Sequence, residues 1–174
     1  MVPEDRRKQG LVMTLAVRPN VTLPQLRRFA SRGWMRKRHE TRTVRDLIAH
    51  FQVRPAATEG DIAHFSGGNQ QKVLLGKWLA GDPRVDILDE PSRGVDVGAR
   101  QRIHAPIADL AATGVTVLVI SSEIDEVLGL AHRACLVDRG RIVEEVDPGK
   151  PDAAAVLGAL FRHQSGPDIR ASAR

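Results

Sequence analysis

The sequence predicts an α/β fold with a mostly parallel sheet flanked by helices, and three stretches carry that reading. Val85 to Leu88 is a short apolar strand that ends in Asp89-Glu90-Pro91. Gly98 to Ala112 reads as a helix, with Ile103, Ile107 and Leu110 on one face and Gly114 just beyond its end. Val115 to Ile120 is a continuous apolar, β-branched run, as expected of a parallel strand covered on both faces.

The remaining elements follow in chain order. Met1 to Gly10 is polar and reads as a loop. Thr22 to Ser31 and Arg38 to Phe51 read as helices, the second with Val44, Leu47, Ile48 and Phe51 at helical spacing. Arg54-Pro55 to Gly60 is a breaker-rich connection. Ser66 then opens an amphipathic helix seated by the pairs Leu74 with Trp78 and Leu75 with Leu79; Gly81 suits its C′ position and Pro83 stops it. Glu123 to Leu130 is a short helix. Arg133 to Val137 and Ile142 to Val146 flank Asp138-Arg139-Gly140-Arg141, a hairpin pattern. Ala153 to Phe161 suits a last helix, and the polar segment from Gln164 to Arg174 is expected to be disordered.

Composition bounds the possibilities. With 174 residues, 42% of them apolar and 3% aromatic, the chain suffices for one domain with an aliphatic core. Its single cysteine, Cys135, excludes an internal disulfide and is expected as a buried, inert thiol on a core strand. No apolar run approaches the roughly 18 residues that span a bilayer, and Leu11 to Val17 is too short and ill-flanked for a signal segment. Residues 1–60 carry 13 Lys and Arg against 5 Asp and Glu, a charge of +8; the remainder carries 13 against 16, a charge of −3. A basic front half suits nucleic acid or anionic lipid, but it has few interleaved aromatics and no nucleic-acid motif, so a solvated Arg-rich helical face is the expectation. The six histidines form no HExxH or His/Cys cluster, and there is no repeat at solenoid spacing.

Two stretches carry chemistry. In Ser66-Gly67-Gly68-Asn69-Gln70-Gln71-Lys72, Ser66 is placed as an N-cap and the two glycines let backbone approach a ligand. The N–H groups and positive dipole end of that helix favour a phosphate. In the second stretch, Asp89 and Glu90 stand at the C-terminal end of a strand, where open α/β sheets bind ligands. One carboxylate there suits Mg²⁺ held through water, and its neighbour suits polarising an attacking water. Alone, the first is an ordinary capped helix and the second a strand end meeting solvent; in this order they are specific.

Together they resemble the nucleotide-binding cassette of ABC transporters, a P-loop NTPase fold, over roughly Val2 to Val146. Ser66 to Lys72 resembles the signature motif, Ile87 to Glu90 the end of Walker B, and Arg93 to Asp96 the D-loop. The variant SGGNQQK followed by DEPSRGVDVGA is similar to the second cassette of the duplicated ATPase subunits that drive bacterial sugar import.

The resemblance implies a division of the chain: a post-Q-loop segment (1–20), a small helical subdomain (21–64), the signature, Walker B, D-loop and switch part (65–150), a C-terminal helix (151–163) and a tail (164–174). It implies ATP and Mg²⁺ as ligands. Ser66, Gly67, Gly68 and Gln70 would contact the γ-phosphate of ATP held by another cassette in a head-to-tail pair. Asp89 would hold Mg²⁺ through water, Glu90 would act as general base or water polariser, and Asp96 would belong to the D-loop. Ser122 stands where many cassettes carry a switch His, a departure shared with second cassettes of sugar importers. Glu4 stands at the Q-loop position; an exposed acidic residue near a terminus is the alternative. The helical subdomain would pack on the membrane permease, placing the chain in the cytoplasm on the inner face of the membrane through its partners. Neither direct sugar binding nor nucleic-acid binding is implied.

The chain has no G-x-x-x-x-G-K-[ST] phosphate cradle; Gly76-Lys77 and Gly149-Lys150 do not complete it. The expectation is therefore a cassette truncated before the Q-loop, inactive alone because positioning and electrostatics supply most of phosphoryl-transfer catalysis. Asp86 inside a strand and Pro106 inside a helix read as local faults. Two alternatives accompany the leading reading: a non-catalytic module that docks on a cassette or permease, and an ABC-type ATPase acting on nucleic acid, supported only by the basic front half.

Overall fold

The computed structural model describes residues 1–158 apart from 82, 96 and 154, and it divides into two compact units, Met1–Ile120 and Ser121–Arg174. In the first unit, β3 (Val85–Asp89) pairs in parallel with β4 (Thr116–Ile120), in register from Val85 opposite Thr116 to Asp89 opposite Ile120. The connection between them is α5 (Val97–Ala112), as the predicted strand–helix–strand order requires.

The first ten residues are only in part a loop. Val2 is fully buried on the other edge of β3, donating its N–H to the Ile87 carbonyl at 2.7 Å and accepting from the Asp89 N–H at 3.0 Å. An apolar residue facing β3's free edge supplies both burial and the missing backbone partners. Asp5 then caps a helical turn over Arg6–Gly10, its carboxylate accepting from the Arg7 and Lys8 N–H groups at 3.0 and 3.1 Å.

The expected helix from Thr22 to Ser31 begins earlier and breaks. α1 spans Val17–Thr22, a 3₁₀ turn covers Leu23–Gln25, and α2 is one turn, Leu26–Phe29. Pro24 has no N–H to give the Asn20 carbonyl, so the α-helical ladder stops before it. β1 (Ala30–Ser31) and β2 (Trp34–Met35) form a small antiparallel hairpin around Arg32 and Gly33, both at positive φ. α3 (Lys37–His50) matches its prediction and buries Val44 and Ile48. Glu40, buried on α3, accepts from Arg18 at 2.8 Å and from the Thr22 hydroxyl at 2.7 Å; Arg18 also donates to Glu59 at 2.6 Å. That network fastens α1, α3 and the connection ahead of residue 60.

α4 (Gly67–Leu79) buries Val73, Leu74 and Leu75 on the core side, as its pattern required. Gly81 is not a left-handed C′ residue: Ala80 closes the helix, donating to the Gly76 carbonyl at 3.0 Å. Lys77 reaches back to the Gly10 carbonyl at 2.6 Å, and burial lowers its pKa. α5 continues through Pro106, which is buried. Asp86 is buried with the α-amino group of Met1 3.7 Å away. β4 is not covered on both faces; Leu118 and Ile120, 53% and 47% exposed, share one face, and the half-buried Val117 and Val119 share the other.

In the second unit, α6 (Ile124–Leu130) precedes the antiparallel hairpin of β5 (Ala134–Asp138) and β6 (Arg141–Val146). Arg139 and Gly140 both have positive φ at its turn, the twist that suits two-residue hairpins. Ala134, Val146, Ala153 and Leu157 form the core of this unit, with Ile124, Val127, Leu128 and Val156 against it. Cys135 is exposed, contrary to expectation: alternation along β5 turns Ala134 inward and its neighbour outward. Ala153 and residues 155–158 are helical, while the rest of the expected last helix and the expected disordered tail lie outside the described residues.

Candidate functional site

A cleft of about 610 Å³ opens at the N-terminus of α4, lined by Ser66, Gly67, Gly68, Asn69, Arg54 and Lys72 among others. The two cations and the N-terminal turn of a 13-residue helix all favour an anion. Ser66 occupies the N-cap position with extended backbone, but its side chain does not cap. Its Oγ accepts instead from the Asn69 side-chain amide at 2.9 Å, while Asn69 Oδ1 accepts from the Arg54 N–H at 2.8 Å. Asn69 thereby ties the helix start to the connection at Arg54. Lys72 Nζ donates to the Gln52 carbonyl at 3.1 Å, which anchors the lysine beside the cleft.

The predicted phosphate-contacting residues divide. Ser66, Gly67 and Gly68 line the cleft. Gln70 does not: it is fully buried, and its amide donates to the Ile62 and Phe65 carbonyls at 3.2 and 3.0 Å. At helical spacing, position 70 falls on the core side of α4, so the side chain braces the preceding turn. Gly67 and Gly68 also differ. A Cβ on Gly68 would meet nothing closer than Val95 at 3.9 Å, whereas one on Gly67 would lie 2.7 Å from an Arg6 guanidinium nitrogen.

Arg6 is the residue sequence reasoning missed. Its Nε lies 3.5 Å from Gln70 Oε1, and its Nη1 donates to the Arg93 carbonyl at 3.2 Å. Burial lowers its pKa from the ordinary arginine value. The sequence signal was the polar PEDR segment, from which only Glu4 was singled out. Glu4 forms an ion pair with Arg93 across the same turn.

Asp89 ends β3, half-buried. Glu90 follows in left-handed backbone at φ 47°, its N–H donating to the Ile120 carbonyl at 2.8 Å and its carbonyl accepting from the Arg93 N–H at 3.0 Å. A non-glycine residue held there stores backbone strain of about 1–2 kcal/mol, a feature that clusters at functional turns. Ser122 is exposed in the segment before α6, where Ser121 Oγ accepts the Glu123 N–H at 3.0 Å. Asp96 lies outside the described residues.

The fit to the implied ligands is uneven. The cleft at α4 has the cations, glycines and free helix end that a phosphate needs. For Mg²⁺, Asp89 offers one carboxylate, and among the described residues no group of three His, Cys, Asp or Glu is placed to hold a metal ion. That donor set suits a hydrated ion shared with phosphate oxygens rather than a cage of protein ligands.

The fold is that of an ATP-binding cassette. A nucleotide-free cassette from an ABC transporter superposes on 94% of this chain and 67% of its own length, with a TM-score of 0.75 at 21% identity. A cassette dimer in a post-hydrolysis state with ADP and Pi covers 86% of this chain and 62% of its own, with a TM-score of 0.71 at 22% identity. The chain is a homologue of the ribose import ATP-binding proteins RbsA: 46% identical over 145 residues to that of Roseobacter denitrificans and 43% over 165 residues to that of Jannaschia sp.. These matches take in 83% and 95% of this chain but 28% and 31% of the relatives, so the chain spans less than a third of their length. No protein-family model matches it.

Proposed function

We propose that the chain is the signature-bearing part of an ATP-binding cassette in a carbohydrate-import ABC transporter, ribose being the sugar named for its relatives. The observation that carries this reading is the cleft at the N-terminus of α4, where Ser66, Gly67 and Gly68 face the opening between Arg54 and Lys72. Those groups bind phosphate by charge and by backbone N–H donation. In a head-to-tail pair they close over the γ-phosphate of ATP held by the other cassette. They contribute orientation and charge stabilisation, the two effects that dominate phosphoryl transfer.

Asp89 would hold Mg²⁺ through water, and the ion would neutralise phosphate charge. Glu90 would polarise the attacking water at the site on its own side of the pair. That site requires a phosphate cradle, which this sequence does not contain, so the chain alone is proposed not to hydrolyse ATP. The permease is the second partner, met through the helical subdomain, residues 21–64, which includes α3. Among the described residues no helix is long and apolar enough to cross a membrane, and the proposed location is the cytoplasmic face of the membrane through these partners.

The test is phosphate release by the purified first cassette of a ribose import ATP-binding protein, with and without this chain. Stimulation dependent on this chain is expected; vigorous hydrolysis by this chain alone would sink the proposal.

A further inference from the structure

We propose that Arg6 is a positioning residue: its guanidinium clamps the first turn of α4 to the turn after β3, packed against the bare backbone of Gly67. Three contacts of one side chain carry this. Nε reaches Gln70 Oε1 on α4 at 3.5 Å, Nη1 donates to the Arg93 carbonyl at 3.2 Å, and Nη2 lies 2.7 Å from where a Cβ on Gly67 would stand. Gly94, at positive φ, leaves the same guanidinium room: a Cβ there would lie 3.6 Å from Nη1.

The planar fork explains why arginine does this. Its donors point in fixed directions, so one side chain holds an amide oxygen and a main-chain carbonyl on two elements at once. The Arg6 main chain is itself fixed, because its turn is capped by Asp5 and its neighbour Glu4 pairs with Arg93. A side chain on Gly67 would thus push the Arg6 guanidinium aside, whereas one on Gly68 would meet only Val95 at an ordinary van der Waals distance, 3.9 Å. That the clamp presents the α4 terminus to phosphate rests on the proposed function; the clamp itself does not.

Hydrogen exchange on the full chain separates the two. The Gln70 amide, bonded to the Ser66 carbonyl, and the Val95 amide, bonded to the Ser92 carbonyl, report on either side of the clamp. Arg6→Ala is expected to speed exchange at both by about tenfold, the effect of losing a hydrogen bond to a charged group, with the Phe51 amide unchanged. Arg6→Met, which keeps the apolar stem, is expected to do the same and serves if the alanine variant does not fold. Gly67→Ala is expected to speed exchange in the Arg6 background and to add nothing to Arg6→Ala. Unchanged exchange in both Arg6 variants, or an equal effect of Gly67→Ala in both backgrounds, overturns the clamp.

Phosphate release by the partner cassette is the second readout, with Arg6→Met expected to lower stimulation about tenfold. Normal stimulation with accelerated exchange overturns the positioning role. If the wild-type chain gives no stimulation, the proposed function has failed, and the exchange data alone decide whether Arg6 clamps Gly67.

Discussion

Asn69 donates its side-chain amide to Ser66 Oγ at 2.9 Å, so the serine that opens α4 is held by a side chain three residues on and not by the backbone it precedes. The cost of Ser66→Ala is therefore expected to fall below the ~1 kcal/mol typical of a lost N-cap. Asn69→Ala, which also strips the Arg54 N–H of its acceptor, is expected to cost about 1 kcal/mol or more. Urea denaturation of both variants gives the order.

Function is expected to rank these positions differently. Ser66→Ala is expected to abolish stimulation of a partner cassette and Glu90→Gln to leave it nearly intact, because in the proposed pairing only Ser66 faces the partner's site. Equal losses in the phosphate-release assay would overturn this division.

Gln70 is expected to matter through the fold. Gln70→Ala leaves the Ile62 and Phe65 carbonyls without their side-chain donor and costs about 1–3 kcal/mol, measured as a lowered denaturation midpoint.

Glu90 holds left-handed backbone at φ 47°. Glu90→Gly is therefore expected to be more stable than Glu90→Ala, by about 1 kcal/mol, since only glycine takes that conformation without a Cβ clash. Thermal denaturation of the pair measures the difference; an alanine variant of equal or greater stability would show the turn to be unstrained.

Two carboxylates give stability opposite pH dependences. Burial raises the pKa of Asp86, so the folded chain holds a proton that the unfolded chain has lost, and stability falls as pH rises from the ordinary Asp value through the folded one. Asp86→Asn is expected to stabilise at neutral pH, with the gain vanishing at acid pH. The hydrogen bond from Arg18 lowers the pKa of Glu59, so its contribution is present above the ordinary Glu value and is lost as pH falls through the folded one. Glu59 is largely exposed, and salt screens its share. Denaturation midpoints of Asp86→Asn and Glu59→Gln across acid pH check both signs.

Arg18→Ala is expected to cost more than Glu59→Gln. It leaves the buried Glu40 carboxylate without its cation, a loss of about 3–5 kcal/mol, measured by chemical denaturation at neutral pH.

Local pattern was enough for much of this. The apolar run ending in Asp89-Glu90, the helix after Ser66 and the hairpin around Gly140 were all legible, because strand composition, helical spacing and turn chemistry act over a few residues. The resemblance to ABC cassettes was legible from SGGNQQK and DEPSRGVDVGA for the same reason: each is a short contiguous motif. The break at Pro24 was visible but outweighed by the surrounding helical pattern.

What sequence alone determined, then, is the α/β class, the order of elements from α3 onward and the glycine-rich start of α4. Tertiary structure decided which side chains reach that start. It turned Gln70 into the core, set Asn69 on Ser66, and brought Arg6 against Gly67 and the Arg93 carbonyl, residues more than sixty positions away. No local preference encodes such a contact. It exists because Val2 docks on β3 and Asp5 caps the next turn, which aims Arg6 at a surface that only the folded chain assembles.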